Sequence, residues 1–288
     1  MASNIIIYQF HFPVLSHHEH VEQESEVLYK DIFHDTPTDL GKQLSREERH
    51  AKGLDEAKSL IYGEVEYHSF YHVLRKINPS LLYLQLQTDS RRPADAGFVF
   101  YDLGSGTGKA VILARILYDF SVCVGVELLQ KLYTQSKVIE QRFNEQFRPS
   151  LTAGRSQAIE MHEDSILDFD WSDGDVVFAN STCFDDDLME AMSVQADQLA
   201  PGAIFVTFTK GLSSAHRQLD RGGVPSFELL DRKRYKMSWG PATVFIHRRL
   251  EADGSSVADD YRLSFLPCDA VCYDDDTSLA SVSDEEEE

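Results

Sequence analysis

The residues of this chain with the clearest chemical potential lie in one glycine-rich segment, which runs from Asp102 to Lys109. The small residues within it are Gly104, Ser105, Gly106 and Gly108. An apolar run from Phe98 precedes the segment and a helical pattern follows it, so the segment is expected to connect a strand to a helix. Glycines permit a tight turn and the close approach of a ligand, while the helix N-terminus offers free N–H groups. This combination predicts a binding site for a nucleotide-like ligand.

Three classes of ligand compete for a loop of this kind. A phosphate-binding P-loop requires G-x-x-x-x-G-K-[ST], but Gly104 is only four residues before Gly108 and Ala110 replaces the required hydroxyl. A dinucleotide-binding loop requires G-x-G-x-x-G, and here the third glycine comes one residue early, which leaves this alternative open but weakened. The loop favours S-adenosyl-L-methionine, because Asp102 at the end of the first predicted strand can meet the cationic methionine end of this molecule.

Polar residues at the ends of the next strands extend this candidate site. Glu127 ends the second predicted strand, about 20 residues beyond the loop, where a carboxylate can accept both ribose hydroxyls. Asp164 follows the third predicted strand, next to Ser165, and can accept a hydrogen bond from the adenine amino group. The plainer interpretations are a surface acid for Glu127 and a helix cap or turn residue for Asp164.

The composition limits the classes of partner. The chain has 288 residues, of which 42% are hydrophobic, and this is enough for a large buried core. Its formal net charge of −21 opposes direct binding to nucleic acid, which depends on clustered Lys and Arg, and favours a basic partner such as a histone. The cysteines have no paired spacing and the histidines form no zinc motif, so neither disulfides nor a metal ion are expected. Without a basic leader or a long apolar run, we expect a protein of the nucleus or cytoplasm that has no contact with membranes.

Strand and helix patterns alternate through the middle of the chain. The predicted strands are Phe98 to Asp102, Val122 to Glu127, Ala158 to His162, Asp175 to Ala179, Ile204 to Thr209, Tyr235 to Trp239 and Thr243 to Arg248. The predicted helices are Lys109 to Asp119, Leu128 to Phe147 and Asp185 to Leu199. This alternation predicts an α/β fold with a mostly parallel sheet that is covered on both faces. The last two strands have no room for a crossover helix between them, so an antiparallel hairpin is expected.

Shifts in composition divide the chain into three parts. Residues 1–92 are expected to form a mostly helical extension, with a charged stretch from Leu40 to Lys58 and an amphipathic one from Glu64 to Ile77. A run of charge, proline and glycine near residue 93 marks the start of the α/β part, which is expected to reach residue 250. Residues 251–288 are expected to form a disordered acidic tail, because they carry eight acids and no base from Asp274 onwards.

Four stretches of the chain together resemble one enzyme family. They are Tyr62-Gly-Glu64, Phe100 to Gly108 with Val124 to Glu127, Phe178 to Phe184, and Gly202 to Lys210 with Met237 to Pro241. In these stretches the chain resembles the non-SET histone lysine methyltransferases of the disruptor-of-telomeric-silencing class, over residues 60 to 250 or so. The resemblance implies a class I methyltransferase fold, with a Rossmann-like, mostly parallel seven-stranded sheet, an antiparallel final hairpin and an N-terminal helical cap. It also implies S-adenosyl-L-methionine as methyl donor, histone H3 or the nucleosome as substrate, and a nuclear chromatin regulator that modifies a lysine on the globular core of H3.

The resemblance implies roles for individual residues as well. Residues implied to contact the donor are Tyr62 and Glu64 in a covering loop, then Asp102, Gly104, Ser105, Gly106, Gly108, Lys109, Glu127, Asp164, Ser165 and Asn180. Asn180 would lie near the transferred methyl group, and Phe184 and Trp239 would form the walls of a lysine channel. The plainer interpretations are a helix cap for Asn180, a core residue for Phe184 and sheet packing for Trp239.

Three residues depart from the family pattern. Ser165 stands where the family has an aromatic residue under adenine, Val65 replaces a hydroxyl residue, and Val244 stands where the family has a channel tyrosine. The sequence also lacks an evident Lys/Arg-rich segment for DNA. Besides histone methylation, three functions stay open: lysine methylation of another protein, methylation of a nucleic-acid base or small molecule, and an inactive chromatin adaptor that binds the donor.

Overall fold

The computed structural model describes residues 17–77, 97–151, 157–213, 225–237, 239–252, 254 and 272–273. Its α-helices are α1 (His17–Ile32), α2 (Thr38–Ala51), α3 (Tyr67–Ile77), α4 (Lys109–Leu117), α5 (Gln130–Arg142) and α6 (Asp186–Ala196). Its strands are β1 (Val99–Leu103), β2 (Val122–Glu127), β3 (Ile159–Glu163), β4 (Val176–Ala179), β5 (Ile204–Phe208), β6 (Phe227–Met237), β7 (Gly240–Arg249) and β8 (Cys272–Tyr273). A π-helical turn at Phe143–Phe147 extends α5, and 3-10 turns occupy Lys58–Leu60, Arg148–Ser150 and Ser181–Cys183.

The strands form one sheet in the order β3-β2-β1-β4-β5-β7-β6-β8. Strands β1 to β5 are parallel to one another, whereas β7 is antiparallel to both β5 and β6. The mostly parallel sheet of the seven predicted strands and its antiparallel hairpin are confirmed, and the two-residue strand β8 adds an eighth strand at the edge. The chain builds outward from β1 to β3 and then places β4 on the other side of β1, so the strand order reverses there. In α/β sheets, ligands bind at such a reversal, beyond the carboxyl ends of the strands.

Two hydrophobic cores cover the two faces of the sheet. On one face, helices α1, α3, α4 and α5 pack against the strands, and the rings of Phe70 and Phe178 have centroids 4.6 Å apart. On the other face, Met192 of α6 packs in a cluster with Trp171 and Leu103. Because both faces are covered, all five residues of β1 are buried, which accounts for its nearly continuous apolar sequence.

The N-terminal helices are joined to the sheet by polar contacts as well as apolar ones. Buried Glu48 of α2 accepts hydrogen bonds from the backbone N–H groups of Gln130 and Lys131, at 2.9 and 2.6 Å. It thereby caps α5, whose own N-cap residue makes no side-chain bond. Arg142 at the end of α5 donates to the Asp35 carboxylate at 2.7 and 2.6 Å. The described N-terminal residues thus form a helical cap that is fastened to α5.

Some element boundaries differ from the sequence prediction. Strand β6 begins at Phe227 rather than Tyr235, because polar residues on its exposed face conceal the strand from a search for apolar runs. The charged stretch near Leu40 is helical only as far as Ala51. The two-residue strand β8 pairs with β6 inside the segment for which disorder was predicted. The acidic run from residue 274 and the boundary near residue 93 lie outside the described residues.

Candidate active site

The glycine-rich loop occupies the carboxyl end of β1, where the strand order reverses. The backbone N–H groups of Gly104 and Ser105 both donate to the carbonyl oxygen of Val126 in β2, at 2.9 and 3.0 Å. Gly104, Gly106 and Gly108 have φ angles of 81°, 56° and 87°, which residues with a side chain rarely adopt. Gly108 is also the N-cap of α4. The loop therefore makes the predicted turn from strand to helix, and its backbone stays accessible at Gly104.

Glu127, the last residue of β2, holds this loop from the neighbouring strand. One of its carboxylate oxygens accepts the N–H of Gly106 and the other accepts the N–H of Leu129, each at 2.8 Å. Both oxygens retain lone pairs for further donors such as hydroxyl groups. Burial raises the pKa of Glu127, and the N–H groups of Leu129 and Gly106 partly oppose that shift. Glu127 is therefore a fixed and buried hydrogen-bond acceptor.

Asp102 lies at the end of β1 and is only 3% exposed. Burial raises the pKa of its carboxyl group well above the ordinary value, and the negative charge of Glu127 raises it further. A raised carboxyl pKa means that the folded protein accommodates the negative charge poorly. A cationic ligand at this edge of the sheet would relieve that unfavourable interaction.

The Tyr-Gly-Glu loop, residues Tyr62 to Glu64, packs directly against the glycine-rich loop. The Tyr62 ring lies between Gly106 and Gly41 of α2, and a Cβ atom on either glycine would overlap the ring. The Tyr62 hydroxyl also lies 3.0 Å from Oγ1 of Thr107, within hydrogen-bond distance, and donates to the Glu64 carboxylate. Glycine at both positions thus allows an aromatic ring to join the helical cap to the candidate donor site.

Glu64 is the centre of a buried polar cluster behind these two loops. Its carboxylate accepts hydrogen bonds from the Thr38 hydroxyl at the start of α2 and from Nζ of Lys109 at the start of α4. The Lys109 and Glu64 side chains are only 12% and 5% exposed. Removing one partner of such a pair leaves an uncompensated buried charge, which is strongly destabilising. The cluster therefore fastens the Tyr-Gly-Glu loop in place.

Asn180 follows β4 and reaches back to the Tyr-Gly-Glu loop. Its Nδ2 donates to the carbonyl oxygen of Gly63 at 2.9 Å, and its Oδ1 accepts from the Thr182 hydroxyl at 3.0 Å. The cap of helix α6 is Asp185, whose carboxylate accepts from the N–H of Leu188 at 2.9 Å. Asn180 does not cap that helix, and its amide instead connects two of the four stretches that carry the family resemblance.

The two aromatic residues predicted to form the lysine channel, Phe184 and Trp239, lie near the two loops that Asn180 and Tyr62 bring together. Phe184 is 9% exposed, and its Cζ would be 3.7 Å from a Cβ atom placed on Gly104. Trp239, in the turn between β6 and β7, is 38% exposed and packs on the backbone of Gly63, where a Cβ atom would be 3.5 Å from the indole ring. One aromatic side chain is therefore close to the glycine-rich loop and the other to the Tyr-Gly-Glu loop.

These elements enclose a cavity of about 500 Å³, within the usual size range of small-molecule sites. The predicted residues that line it are Tyr62, Gly104, Glu127, Ser165, Asn180, Phe184 and Trp239. The other predicted residues do not line it, namely Glu64, Asp102, Ser105, Gly106, Gly108, Lys109 and Asp164. Among these, Asp164 accepts a hydrogen bond from the N–H of Ser165 at 2.7 Å, which is the behaviour of a turn residue. Its role as an acceptor for adenine stays a prediction.

Part of the apolar wall comes from residues that the sequence interpretation missed. Leu128 and Leu129 follow β2, and Ile166 follows the turn after β3. They offer apolar surface beside Ser165, where the family pattern would place an aromatic residue. Their position directly after the strand-end residues was the available signal, because ligands bind beyond the carboxyl ends of parallel strands.

Comparison with protein families decides which kind of enzyme this site belongs to. The family model described as "Histone methylation protein DOT1" matches residues 47–239 of the chain. The chain belongs to this family. Membership of the DOT1 family confirms the predicted S-adenosyl-L-methionine-dependent methyltransferase of the histone-lysine type. The match includes the Tyr-Gly-Glu loop, the glycine-rich loop, Asn180 and Trp239.

Several solved structures are similar to this DOT1-family chain. An RNA methyltransferase from Salinibacter ruber in complex with S-adenosyl-L-homocysteine has 22% identity over 60% of this chain and 92% of its own, with a TM-score of 0.36. A putative methylase from Haemophilus influenzae has 16% identity over 64% of this chain and 99% of its own, with a TM-score of 0.42. TrmN from Thermus thermophilus has 21% identity over 62% of this chain and 51% of its own, with a TM-score of 0.39. No curated protein matches the chain.

The residues of the cavity fit the methyl donor of the DOT1 family. Gly104 presents bare backbone, Glu127 presents a buried carboxylate, and the neighbouring leucine and isoleucine side chains present apolar surface. Within the described ranges, no set of three or more His, Cys, Asp or Glu side chains is arranged to hold a metal ion. In those same ranges, no helix has both the length and the apolar character needed to cross a membrane.

Proposed function

We propose that this chain methylates a lysine on the globular core of histone H3, within the nucleosome and in the nucleus. The observation that carries the proposal is that polar and aromatic residues line the same cavity in a chain of the DOT1 family. Gly104 and Glu127 form a polar side suited to the donor, and Asn180, Phe184 and Trp239 form an aromatic and amide side suited to a lysine. The formal net charge of −21 agrees with a basic protein partner.

On the donor side, the Glu127 carboxylate is proposed to accept the two ribose hydroxyls with the lone pairs that the backbone N–H groups leave free. Leu128 and Ile166 are proposed to flank adenine, and Asp102 to attract the cationic methionine end through the glycine-rich loop. When bound, S-adenosyl-L-methionine supplies an electrophilic methyl group on a sulfonium. The protein contributes position and electrostatics.

On the lysine side, the requirement is a neutral and correctly aimed amine. A free lysine has a pKa of about 10.4, so most of it is protonated at neutral pH. Walls formed by Phe184 and Trp239 provide a low-dielectric passage, which favours the neutral amine and excludes water. The Asn180 amide, which is held by Gly63 and Thr182, is proposed to orient that amine. This arrangement does not require a strong general base.

We further propose a three-part organisation for this function. Residues 1–92 would form the helical extension that carries the Tyr-Gly-Glu loop, residues 93–250 the methyltransferase core, and residues 251–288 the acidic tail. The contacts of Glu48 with α5 and of Glu64 with Lys109 support an extension that completes the cavity instead of folding as a separate unit.

The test is incubation of the purified chain with radiolabelled donor and, in parallel, nucleosomes, free histone H3 and cell extract. Mass spectrometry of the labelled band is expected to find a methylated lysine in the core of nucleosomal H3. Label confined to other proteins would contradict the histone assignment, and label on nucleic acid or small molecules would contradict lysine chemistry. Donor binding by calorimetry without any labelled product would indicate an inactive adaptor.

A further inference from the structure

The turn after β5 holds a strained residue beside the candidate lysine channel. Thr209 has a φ of 67°, and among the described residues it is the only one other than glycine with a positive φ. The N–H of Lys210 donates to the carbonyl oxygen of Phe208 at 2.7 Å, which closes a γ-turn centred on Thr209. With a positive φ this is the rarer and more strained form of the γ-turn. A β-branched residue adopts it only where the surrounding structure imposes it, and such strain concentrates at functional sites.

The turn contacts the segment that follows β4 at several points. The Ser181 hydroxyl donates to the carbonyl oxygen of Phe208 at 2.7 Å and accepts from the N–H of Phe208 at 3.2 Å. The Thr209 hydroxyl donates to the Thr182 hydroxyl at 3.2 Å, and Thr182 in turn donates to Oδ1 of Asn180 at 3.0 Å. A chain of hydroxyl groups therefore leads from the strained residue to the amide of Asn180.

Lys210 contacts the backbone of Phe184, one of the two proposed channel aromatics. Its Nζ donates to the carbonyl oxygen of Phe184 at 2.9 Å and to the Asp186 carboxylate at 2.7 Å. The side chains of Lys210 and Asp186 are 37% and 94% exposed, and ion pairs this exposed contribute little to stability. The bond from a charged donor to the Phe184 carbonyl does, however, fix the backbone that carries the ring. The main effect of this hydrogen bond is therefore to hold the Phe184 ring in position.

We propose that the turn Phe208 to Lys210 positions the lysine channel, with Thr209 and Lys210 as positioning residues for Asn180 and Phe184. The proposal rests on the function proposed above, because it requires those two residues to face the lysine. The positive φ of Thr209 sends its hydroxyl towards Thr182 and lets the next residue reach Phe184. Displacements of about 1 Å at a reacting centre can lower a rate by about 100-fold. Loss of this turn should therefore lower kcat and leave donor binding unchanged.

The first experiment compares three single variants on nucleosomes. Lys210→Met is expected to lower kcat by about 10-fold or more, while the KM for nucleosomes and the Kd for S-adenosyl-L-methionine stay within about 2-fold. Asp186→Asn removes the ion pair but leaves the bond to the Phe184 carbonyl, so it should retain most of the activity. Lys137→Met is the matched control, because Lys137 is a similarly exposed lysine (43%) that pairs with Glu140 on α5. It should behave like wild type.

The second experiment tests whether Thr209 contributes to turnover although its backbone conformation is strained. Thr209→Gly removes both the hydroxyl and the strain, so it is expected to unfold at the same or a higher temperature than wild type and yet to lose kcat. Thr209→Ser keeps the hydroxyl and should keep most of the turnover. A purely structural role makes the opposite prediction, namely a glycine variant with wild-type kcat.

Wild-type kcat in both Lys210→Met and Thr209→Gly would overturn the positioning proposal. Phe184→Ala then shows which idea has failed. If Phe184→Ala loses activity while the two turn variants keep it, only the positioning role is wrong. If Phe184→Ala also keeps wild-type activity, the assignment of Phe184 to the channel is wrong as well. The proposed function itself fails only if the wild-type chain does not methylate nucleosomal H3. Calorimetric titration with S-adenosyl-L-methionine establishes that each variant is folded.

Discussion

The two sides of the cavity are assembled in different ways. On the donor side, the glycine-rich loop and Glu127 come from two consecutive strands, and backbone N–H groups make the connecting bonds. On the channel side, the bond from Asn180 to Gly63 joins residues that are 117 positions apart in the chain, and side chains make most of the contacts. The donor side is held by local geometry, whereas the channel side depends on how the helical cap meets the sheet.

This difference has a consequence for mutations. Changes on the donor side should affect the binding of one small molecule and the electrostatics of a buried site. Changes on the channel side should affect catalysis with little effect on donor binding, because the contacts there orient groups and bury little charge. Each prediction below tests whether the two sides can be separated in this manner.

The largest effect is expected for Asn180→Ala. This variant removes the amide that joins the Tyr-Gly-Glu loop to the segment after β4, so kcat should fall by about 100-fold to 1,000-fold. The Kd for the donor should change by less than about 3-fold, since the donor contacts proposed for Glu127 and the glycine-rich loop are on the other side of the cavity. Single-turnover methylation of nucleosomes and calorimetry measure the two quantities. Wild-type turnover in this variant would remove Asn180 from the mechanism.

A smaller effect, confined to the donor, is expected for Glu127→Gln. The substitution removes the charge that is proposed to receive the ribose hydroxyls and places an NH₂ group against N–H donors, so the donor Kd should rise by about 100-fold. Turnover should recover at saturating donor. Glu163→Gln is the matched control, because Glu163 ends β3 directly beside Glu127 in the sheet register and is exposed. Equal donor affinity in the two variants would remove Glu127 from the site.

The smallest effect concerns the stability of the protein without donor. The pKa of Asp102 is about 3.9 when unfolded and is raised by burial in the fold, so between these two values the native state holds more protons than the unfolded state. Stability therefore falls as pH rises through that window, and above it the full penalty is present. Asp102→Asn removes the penalty and should raise the Tm by a few degrees at about pH 7.5, while weakening donor binding by about 10-fold.

Thermal unfolding at several pH values checks this prediction. The gain in Tm of Asp102→Asn over wild type should shrink as pH is lowered towards the unfolded pKa, because the wild-type carboxyl group then becomes neutral in the fold. A variant that unfolds at a lower temperature than wild type at about pH 7.5 would mean that the ionised carboxylate is stabilising. The buried acid would then be a structural feature instead of a cost that the donor relieves.

The sequence by itself determined the donor side and the sheet that carries it. The glycine-rich loop, Asp102 and Glu127 could be found because each is fixed by its immediate neighbours in a strand, a turn or a helix start. The order of strands and helices followed from alternating apolar runs for the same reason. Strand β6 was partly missed, since a strand with one exposed polar face lacks the apolar signal.

Only the tertiary structure decided how the channel side is built. Nothing in the local sequence indicates that Asn180 donates to Gly63, 117 positions away, or that Thr209 adopts a positive φ beside the segment after β4. These features depend on contacts between segments far apart in the chain, and such contacts are set by how whole helices pack against the sheet. Local chemistry therefore predicted the residues of the donor side, and long-range packing determined which residues face them across the cavity.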